Sequence, residues 1–381
     1  SERDIEDGTL NNRVSPGFGG AKTNLEYLDY LSSSGYVNYK FSRYAKFSAG
    51  HGKNKIGEGY RSLFLSDAVH NYPYLRAEFS LWRFNYTALL AQFTRFDDPI
   101  NSAGLRKKKN GVFHYLEARI LDNLKLSFFE SVIWTQDSLG TRGFEFNYLN
   151  PFVSLRPVEY ALGSPDNMVL GVGGKWVIKD RVKLYGQFVL DEFKLSELSE
   201  GNNWWGNKYG SQFGLDVHKL FNVKGLNFII EYNSVRPFTY SHFDVTQSYS
   251  HLKQSLAHPA GANFREVVSF FHYRKKRWLT SLQMNYKEQG FEESIDYSIG
   301  QDVNKSYEVR KDDYNNEIGQ GINSKQLYSC LKFGYLINTK SNFIFEISYI
   351  NRHQKFKSTF KNENQLFIGF RTSFYNVYRD F

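Results

Sequence analysis

The chain has 381 residues, longer than an average domain, although a β-barrel of this length commonly forms one unit. It is 18% aromatic but only 41% apolar, which fits neither ordinary soluble domains, at about 45–50% apolar, nor disordered chains, which contain few aromatic residues. The single cysteine, Cys330, excludes an internal disulfide framework and cysteine-based zinc sites. No stretch approaches the roughly 20 consecutive apolar residues of a membrane helix, so a helical membrane protein is excluded.

The net charge of +9 raises the question of a nucleic-acid partner. Two basic clusters are conspicuous, at residues 106–109 and 274–277. Neither cluster lies on a predicted helix or in a known nucleic-acid motif, and each lies between segments that have the pattern of strands. The clusters are therefore interpreted as solvated turns, and no nucleic-acid partner is expected.

Alternation of apolar and polar residues is the dominant pattern along the chain. Residues 74–82, 182–191 and 226–233 each place apolar side chains on one face and polar side chains on the other, as a strand with one wet face does. In the first of these strands the apolar face holds Leu75, Ala77, Phe79 and Leu81, and the polar face holds Arg76, Glu78 and Ser80.

The connections between predicted strands alternate between short and long. The short ones lie near residues 42–43, 83, 122–123, 179–180, 222–224, 275–276 and 338–340. The long polar ones cover residues 53–72, 97–111, 135–166, 194–208, 237–262, 288–322 and 353–362. A soluble sandwich has no reason to place every short turn at one end, whereas an outer-membrane barrel has short periplasmic turns and long extracellular loops.

The predicted fold class is therefore all-β, a transmembrane antiparallel β-barrel of the bacterial outer membrane. Fifteen strands can be counted, and because single-chain barrels usually have an even number, we predict about 16 strands, within a range of 14 to 18. The additional strand is expected within residues 1–31, near 24–31, or upstream of this sequence. Residues 1–32 are accordingly assigned to an N-terminal segment and residues 33–381 to the barrel.

Aromatic residues at strand ends fit this architecture. Trp82, Trp134 and Trp278 are predicted to belong to aromatic girdles at the membrane interfaces, with a core position in a soluble β-protein as the alternative. The C-terminal segment alternates apolar residues and ends at Phe381, which resembles the terminal-strand signal for barrel insertion. Arg379 and Asp380 depart from that signal, so the last three residues could extend past the barrel.

The sequence contains no strong signature of a catalytic, metal or phosphate-binding site. The glycine-rich segment 50–59 lacks the Lys-Ser/Thr and following helix of a phosphate-binding loop, so a loop that folds back at the barrel rim is favoured. His242, His251 and His258 share one long loop, but their spacing matches no metal site. No Gly-x-Ser-x-Gly elbow is present. We therefore expect no catalytic, metal or cofactor site and no enzymatic activity.

Trp204 and Trp205 lie together in a polar loop on the long-loop side. Two exposed rings are unfavourable in water unless they fold onto the rim or meet a partner. Packing inside the barrel mouth is favoured, and contact with a glycan or a protein is the alternative.

Two segments carry a family resemblance. Residues 50–67 and 150–167 resemble the RemB-type gliding-motility barrels of Bacteroidota, and more faintly the capsule-assembly barrels of the Wzi type. The resemblance covers residues 15–193 best. The positions that carry it are Gly50, Gly52, Lys53, Gly57, Gly59, Tyr60, Arg61, Ser66, Asp67, Asn150, Pro151, Arg156 and Glu159.

The resemblance implies a cell-surface barrel without catalytic residues. On the RemB-like interpretation it is an accessory of gliding motility or type 9 protein secretion that works through contacts with other outer-membrane or periplasmic proteins. On the Wzi-like interpretation it is a lectin that anchors capsular or exopolysaccharide. A diffusive porin is a further alternative, because Arg76, Glu78, Lys183, Asp191 and Glu231 could line a channel or could fill the interior with salt bridges.

Overall fold

The computed structural model of the protein describes residues 13–15, 19–23, 28–95, 106–135, 148, 166–372 and 380. Three short strands form a separate sheet: β1 (Arg13–Ser15), β2 (Gly19–Thr23) and β3 (Leu28–Tyr30). Fifteen strands form the large sheet: β4 (Gly35–Lys40), β5 (Ala45–Gly52), β6 (Tyr72–Leu81), β7 (Phe84–Thr94), β8 (Lys108–Leu121), β9 (Leu124–Thr135), β10 (Asn167–Ile178), β11 (Val182–Glu192), β12 (Lys208–His218), β13 (Leu226–Val235), β16 (Phe264–Lys275), β17 (Trp278–Phe291), β18 (Ile322–Asn338), β19 (Phe343–Phe356) and β20 (Thr359–Arg371). A two-residue hairpin, β14 (Ser250–His251) with β15 (Gln254–Ser255), lies between β13 and β16.

Each strand of the large sheet pairs antiparallel with its neighbours in chain order, so the sheet is a continuous meander. The all-β antiparallel prediction is confirmed, and the fifteen strands fall within the predicted range of 14 to 18. The additional strand expected near residues 24–31 is not found in the large sheet, because Leu28–Tyr30 pairs with β2. The only α-helix of the described residues, α1 (Leu195–Glu200), has 6 residues, and three 3-10 turns cover Leu220–Asn222, Val245–Gln247 and Tyr307–Val309. No helix of these residues is long and apolar enough to cross a membrane.

The short connections are found where they were predicted, and the long ones lie at the opposite end of the strands. One predicted long loop is wrong. Residues 353–362 belong mostly to β19 and β20, which meet in a turn at residues 357–358. These residues pair across the two strands instead of forming a loop: His353 is opposite Asn362, and the Asn351 amide donates to the Asn362 side chain at 3.2 Å.

The two faces of the strands differ as the alternation predicts. Leu75 and Leu81 of β6 are exposed on the outer face, while Arg76 and Glu78 point inward and form an ion pair at 2.7 Å. Leu366, Ile368 and Phe370 of β20 likewise lie exposed on the outer face. In an outer-membrane barrel this apolar outer face contacts lipid, which explains how a chain that is only 41% apolar can be a membrane protein.

Candidate functional site

The interior of the barrel is filled by residues 53–71, between β5 and β6, which we call the inner loop. Its apolar residues are almost fully buried, and the Phe64 ring stacks on Phe129 of β9 with centroids 4.7 Å apart. The Leu63 N–H donates to Gln187 of β11 at 2.9 Å. The glycine-rich segment therefore does not fold back at the rim, as expected from the sequence, but enters the interior and contacts strands far apart in the sheet.

Two glycines let the inner loop pass close to the wall. Gly57 and Gly59 have φ values of +109° and +98°, a region that favours glycine. A side chain at Gly57 would overlap Gln187, and one at Gly59 would overlap Glu231. Glu231 in turn accepts the backbone N–H groups of Tyr60 at 2.8 Å and Arg61 at 3.0 Å. The glycines thus serve close packing against the wall, which accounts for their density without a phosphate ligand.

Arg61 anchors the inner loop through buried ion pairs. Its guanidinium donates to both carboxylate oxygens of Glu266 on β16 at 3.1 Å and to Asp380 at 2.9 Å, and all three side chains are about 1% exposed or less. Asp380 also accepts from Gln283 of β17 at 2.8 Å. Asp380 therefore lies inside the barrel, which corrects the expectation that the terminal residues extend past it; Phe381 lies outside the described residues.

The charged residues of the inner wall also form ion pairs. Glu58 pairs with Lys175 and lies 3.6 Å from Lys183. Asp191 lies 3.6 Å from the buried Lys208 and accepts the Tyr240 N–H at 2.7 Å. The charges considered as channel lining are thus engaged in salt bridges and hydrogen bonds that fill the interior.

A second segment closes the barrel on the extracellular side. Residues 236–263, between β13 and β16, form what we call the covering loop. The Tyr240 hydroxyl donates to the Leu63 carbonyl at 2.8 Å, and the Tyr249 hydroxyl donates to the Phe64 carbonyl at 2.6 Å. These bonds satisfy buried carbonyls of the inner loop, which would be costly to leave unpaired. The two loops consequently form one packed unit.

The three histidines of the covering loop do not converge. His242 bonds to the Asp244 carbonyl at 3.3 Å, His251 accepts the Thr94 N–H at 3.0 Å, and His258 bonds to Glu266 at 2.8 Å. Burial lowers the pKa of His251 to about 3 and that of His258 to about 4. Each is therefore a neutral structural side chain near pH 7. In the part of the chain that the structure describes, no cluster of His, Cys, Asp and Glu could hold a metal ion.

Acidification is expected to loosen the covering loop. The folded state keeps His251 neutral because burial and the nearby His70, Lys108 and Lys109 disfavour its protonation, whereas an exposed histidine takes up a proton below about pH 6.5. Protonation of His251 alone therefore makes opening easier as the pH falls below about 6.5, by about 2 kcal/mol at pH 5. Hydrogen exchange of the amides of residues 249–256, corrected for intrinsic rates, should show this.

His251→Gln is the matched variant for that experiment, because glutamine can both accept from Thr94 and donate to the Asn71 carbonyl that His251 contacts at 3.3 Å. The pH dependence of opening should decrease by about 2 kcal/mol, with a remainder from His70 and His258, whose pKa values are lowered to about 4. An unchanged pH dependence in this variant would contradict the assignment.

The adjacent tryptophans pack onto the loop of residues 292–321. The Trp205 ring lies 4.8 Å from Tyr307, and the Arg310 guanidinium lies 4.3 Å above the Trp205 ring. The Trp205 N–H donates to the Asp313 carbonyl at 2.9 Å. Trp204 is half-buried, beside Trp205 with the ring centroids 5.5 Å apart. The pair thus joins two extracellular loops, in keeping with packing at the barrel mouth.

A polar cleft lies beside these tryptophans, with a volume of about 470 Å³. It is lined by Glu293, Ile299, Lys311, Asp312, Asp313, Tyr314, Asn315, Asn316, Gln320 and Gly321. The Asn315 N–H donates to the Asn202 carbonyl at 2.9 Å and the Asn316 N–H to the Asn203 carbonyl at 3.0 Å. Backbone hydrogen bonds between two loops therefore fix the shape of the cleft. Sequence reasoning missed it, because its residues show no motif.

Two of the three predicted interface tryptophans are exposed at the short-turn end. Trp82 is 79% exposed and Trp278 65% exposed. Trp134 departs from the prediction: it is fully buried at the long-loop end of β9, where its ring lies 5.1 Å from Tyr148. Tyr148 lies between β9 and β10 in sequence, and its contact with Trp134 helps to bury the ring. Val112 and Val132 belong to the same buried apolar cluster as Trp134.

The residues that carry the family resemblance lie partly in the barrel wall and partly in the inner loop. Gly50 and Gly52 are in β5. Lys53, Gly57, Gly59, Tyr60, Arg61, Ser66 and Asp67 are in the inner loop, where the Ser66 N–H donates to the Leu256 carbonyl of the covering loop at 2.7 Å. Asn150, Pro151, Arg156 and Glu159 lie outside the described residues.

Comparison with known proteins identifies the fold. No family model matches the chain, and no curated protein matches it. Among solved structures, it is similar to Wzi, a carbohydrate-binding β-barrel of the outer membrane that is involved in group 1 capsule assembly in Escherichia coli, with 12% identity, a TM-score of 0.60, and coverage of 90% of this chain and 69% of that one. It also matches OprD of Pseudomonas aeruginosa, with 14% identity, a TM-score of 0.44, and coverage of 92% and 80%. The similarity to Wzi shows that the chain has the fold of an outer-membrane β-barrel.

Proposed function

We propose that the protein is a non-conducting surface barrel that binds a carbohydrate with its extracellular loops. The observation that carries this proposal is the occupied interior: the inner loop fills the barrel, and the covering loop lies over it. A barrel packed in this way leaves the extracellular loops as the surface available for function. The similarity to Wzi, which is a carbohydrate-binding β-barrel, supports the same class of ligand.

The chemistry of the cleft beside Trp205 suits a sugar. Carboxylates and amides from Asp312, Asn315 and Gln320 offer both donors and acceptors for hydroxyl groups, and Tyr314, which is 44% exposed, offers a ring on which a sugar can stack. The cleft volume of about 470 Å³ falls in the usual range of small-ligand sites. Because the loops are already joined, binding requires little ordering, and this favours affinity.

Glycan binding by the detergent-purified barrel tests the proposal. Capsular and exopolysaccharide fragments are titrated by calorimetry, and Tyr314→Ala and Asp312→Ala are each expected to weaken binding by about tenfold. Tyr44→Ala is the matched control, since Tyr44 is 45% exposed at the short-turn end. Absence of binding to a broad fragment panel, or equal weakening by the control, would contradict the carbohydrate role.

An accessory role in gliding motility or type 9 secretion, through protein contacts, is the second candidate. One observation favours it: α1 and its flank expose apolar side chains on the extracellular side, with Leu195 70%, Leu198 44% and Phe193 42% exposed. Exposed apolar patches of this kind mark protein interfaces. A photo-crosslinker at Leu198 in native membranes should capture one stoichiometric protein, and one at Tyr44 should not. Neither role needs a catalytic residue.

A further inference from the structure

We propose that a second extracellular cavity binds the acetamido group of an N-acetylated amino sugar. The cavity, which we call the acetamido pocket, has a volume of about 210 Å³. It lies where the inner loop and the covering loop meet the loop of residues 292–321, which also forms the cleft beside Trp205. The acetamido group belongs to the same glycan that the cleft binds, so the role of the pocket rests on the carbohydrate binding proposed above.

The buried lining of the acetamido pocket is mostly apolar, and we call this part its floor. The floor consists of Ala68 and Val69 of the inner loop, Ala260 of the covering loop and Val303, each no more than 7% exposed. Such a surface attracts a methyl group, because contact removes apolar area from water. It disfavours a hydroxyl group, which would lose its hydrogen bonds to water there.

An acceptor and a donor complete the lining beside the floor. Asp302 accepts the backbone and side-chain N–H groups of Asn304 through Oδ1, at 2.9 and 3.1 Å, and no group of the described residues donates to its Oδ2. The buried Ser255 Oγ accepts the Ala257 N–H at 3.3 Å, so the hydroxyl proton of Ser255 remains for a ligand. An acetamido group requires such a pair, since its N–H donates and its carbonyl accepts.

The charges and hydrogen bonds of the acetamido pocket favour a neutral ligand in a fixed site. Its two charged lining residues, Lys253 and Asp302, have opposite signs, so the pocket selects neither an anion nor a cation. The Asn304 amide donates to the Lys253 carbonyl at 3.0 Å and thereby joins the 292–321 loop to the covering loop. A neutral group with one methyl, one donor and one acceptor therefore matches the pocket.

The acetamido pocket and the cleft are neighbours. Ile299 lines the cleft and Gln301 lines the pocket, and two residues of chain span at most about 7 Å. The Glu292 carboxylate accepts the N–H groups of both residues, at 3.0 and 3.3 Å, and fixes the segment between them. One oligosaccharide can therefore place a sugar unit in each cavity.

Calorimetry of the detergent-purified barrel with two tetrasaccharides of the same backbone tests this assignment. Chitotetraose carries an acetamido group on each sugar, and cellotetraose carries a hydroxyl group at the same position. Chitotetraose should bind about tenfold more tightly, and saturation-transfer NMR should show the strongest transfer to its acetyl methyl protons. Asp302→Asn, which replaces the available acceptor with a donor, and Ala260→Leu, which fills the floor, should each reduce the preference to about twofold or less.

A matched control lies on the same loop. Asp296 is an exposed carboxylate that accepts from Ser294 at 3.1 Å and lines neither cavity, so Asp296→Asn should keep the preference for chitotetraose. Tyr314→Ala, in the cleft, should weaken the binding of both tetrasaccharides and leave their ratio unchanged. Heat-modifiable migration on gels verifies folding, and Asp302→Asn still offers Asn304 an acceptor oxygen if Ala260→Leu fails to fold.

Three results would each overturn the acetamido assignment: equal affinity for the two tetrasaccharides, an unchanged preference in Asp302→Asn, or no binding of chitotetraose. If capsular or exopolysaccharide fragments still bound and Tyr314→Ala weakened them, the carbohydrate role would stand and only the pocket would lose its ligand. If no glycan of any kind bound, the carbohydrate role itself would fail together with the acetamido assignment.

Discussion

Replacing residues 57–64 with two glycines is expected to convert the barrel into a conducting channel. The removed segment contains Phe64, which stacks on the wall at Phe129, and its loss also deprives the Tyr240 and Tyr249 hydroxyls of their acceptors. The ends of the deletion already meet, because the Ile56 N–H donates to the Leu65 carbonyl at 2.9 Å. The chain can therefore be rejoined across the deletion without moving β5 and β6, although the deletion also removes Arg61, the cation shared by Glu266 and Asp380.

Planar-bilayer recordings measure the effect. The parent chain should show no steady current, and the deleted chain should raise the mean conductance by at least about tenfold, because a barrel of this strand number is wide enough for a water-filled lumen once its contents are removed. Replacing residues 195–200, the short helix α1, with two glycines is the control and should leave conductance unchanged. Steady open current in the parent chain would instead support the diffusive porin.

The barrel itself was predictable because its signals are local. Along β6, Leu75 and Arg76 are adjacent in sequence and face lipid and interior, so period two is visible within ten residues. Each short connection joins strands that pair directly, as at residues 122–123 between β8 and β9. The apolar–polar alternation disappears at strand ends that extend beyond the membrane. Near residues 353–362, β19 and β20 are polar on both faces, so their composition resembles that of a loop.

The contents of the barrel could not be predicted, because their partners are distant along the chain. Arg61 contacts Glu266 and Asp380, which are 205 and 319 residues away. No spacing rule connects such positions. One local signal was present: the apolar run Leu63 to Leu65 within a polar loop, next to Gly57 and Gly59, is typical of a segment that packs against other structure. The extracellular cleft has no comparable signal in the sequence. Its residues are typical of any polar loop, and hydrogen bonds to a second loop fix the cleft only in the folded protein.

Removing the Arg61 guanidinium should be the most destabilising single change in the interior. Arg61→Ala leaves the Glu266 carboxylate and that of Asp380 buried without their shared cation, and breaking a buried pair in this way costs about 3–5 kcal/mol. Chemical unfolding of the detergent-solubilised barrel measures the free-energy change, and limited proteolysis at the inner loop reports its release. Arg61→Lys should recover only part, because a lysine cannot make the two-pronged contact with Glu266.

A matched arginine and a double variant separate this role from a general loss of charge. Arg76 also forms an ion pair, at 2.7 Å with Glu78, but its side chain is 26% exposed, so Arg76→Ala should cost no more than about 1 kcal/mol. Adding Glu266→Gln to Arg61→Ala removes one uncompensated charge and should restore part of the lost stability, whereas independent effects would simply add. If Arg61→Ala lowered the free energy of unfolding no more than Arg76→Ala, the inner loop would be held by its apolar packing against the wall. Arg61 would then only fix the register of the loop.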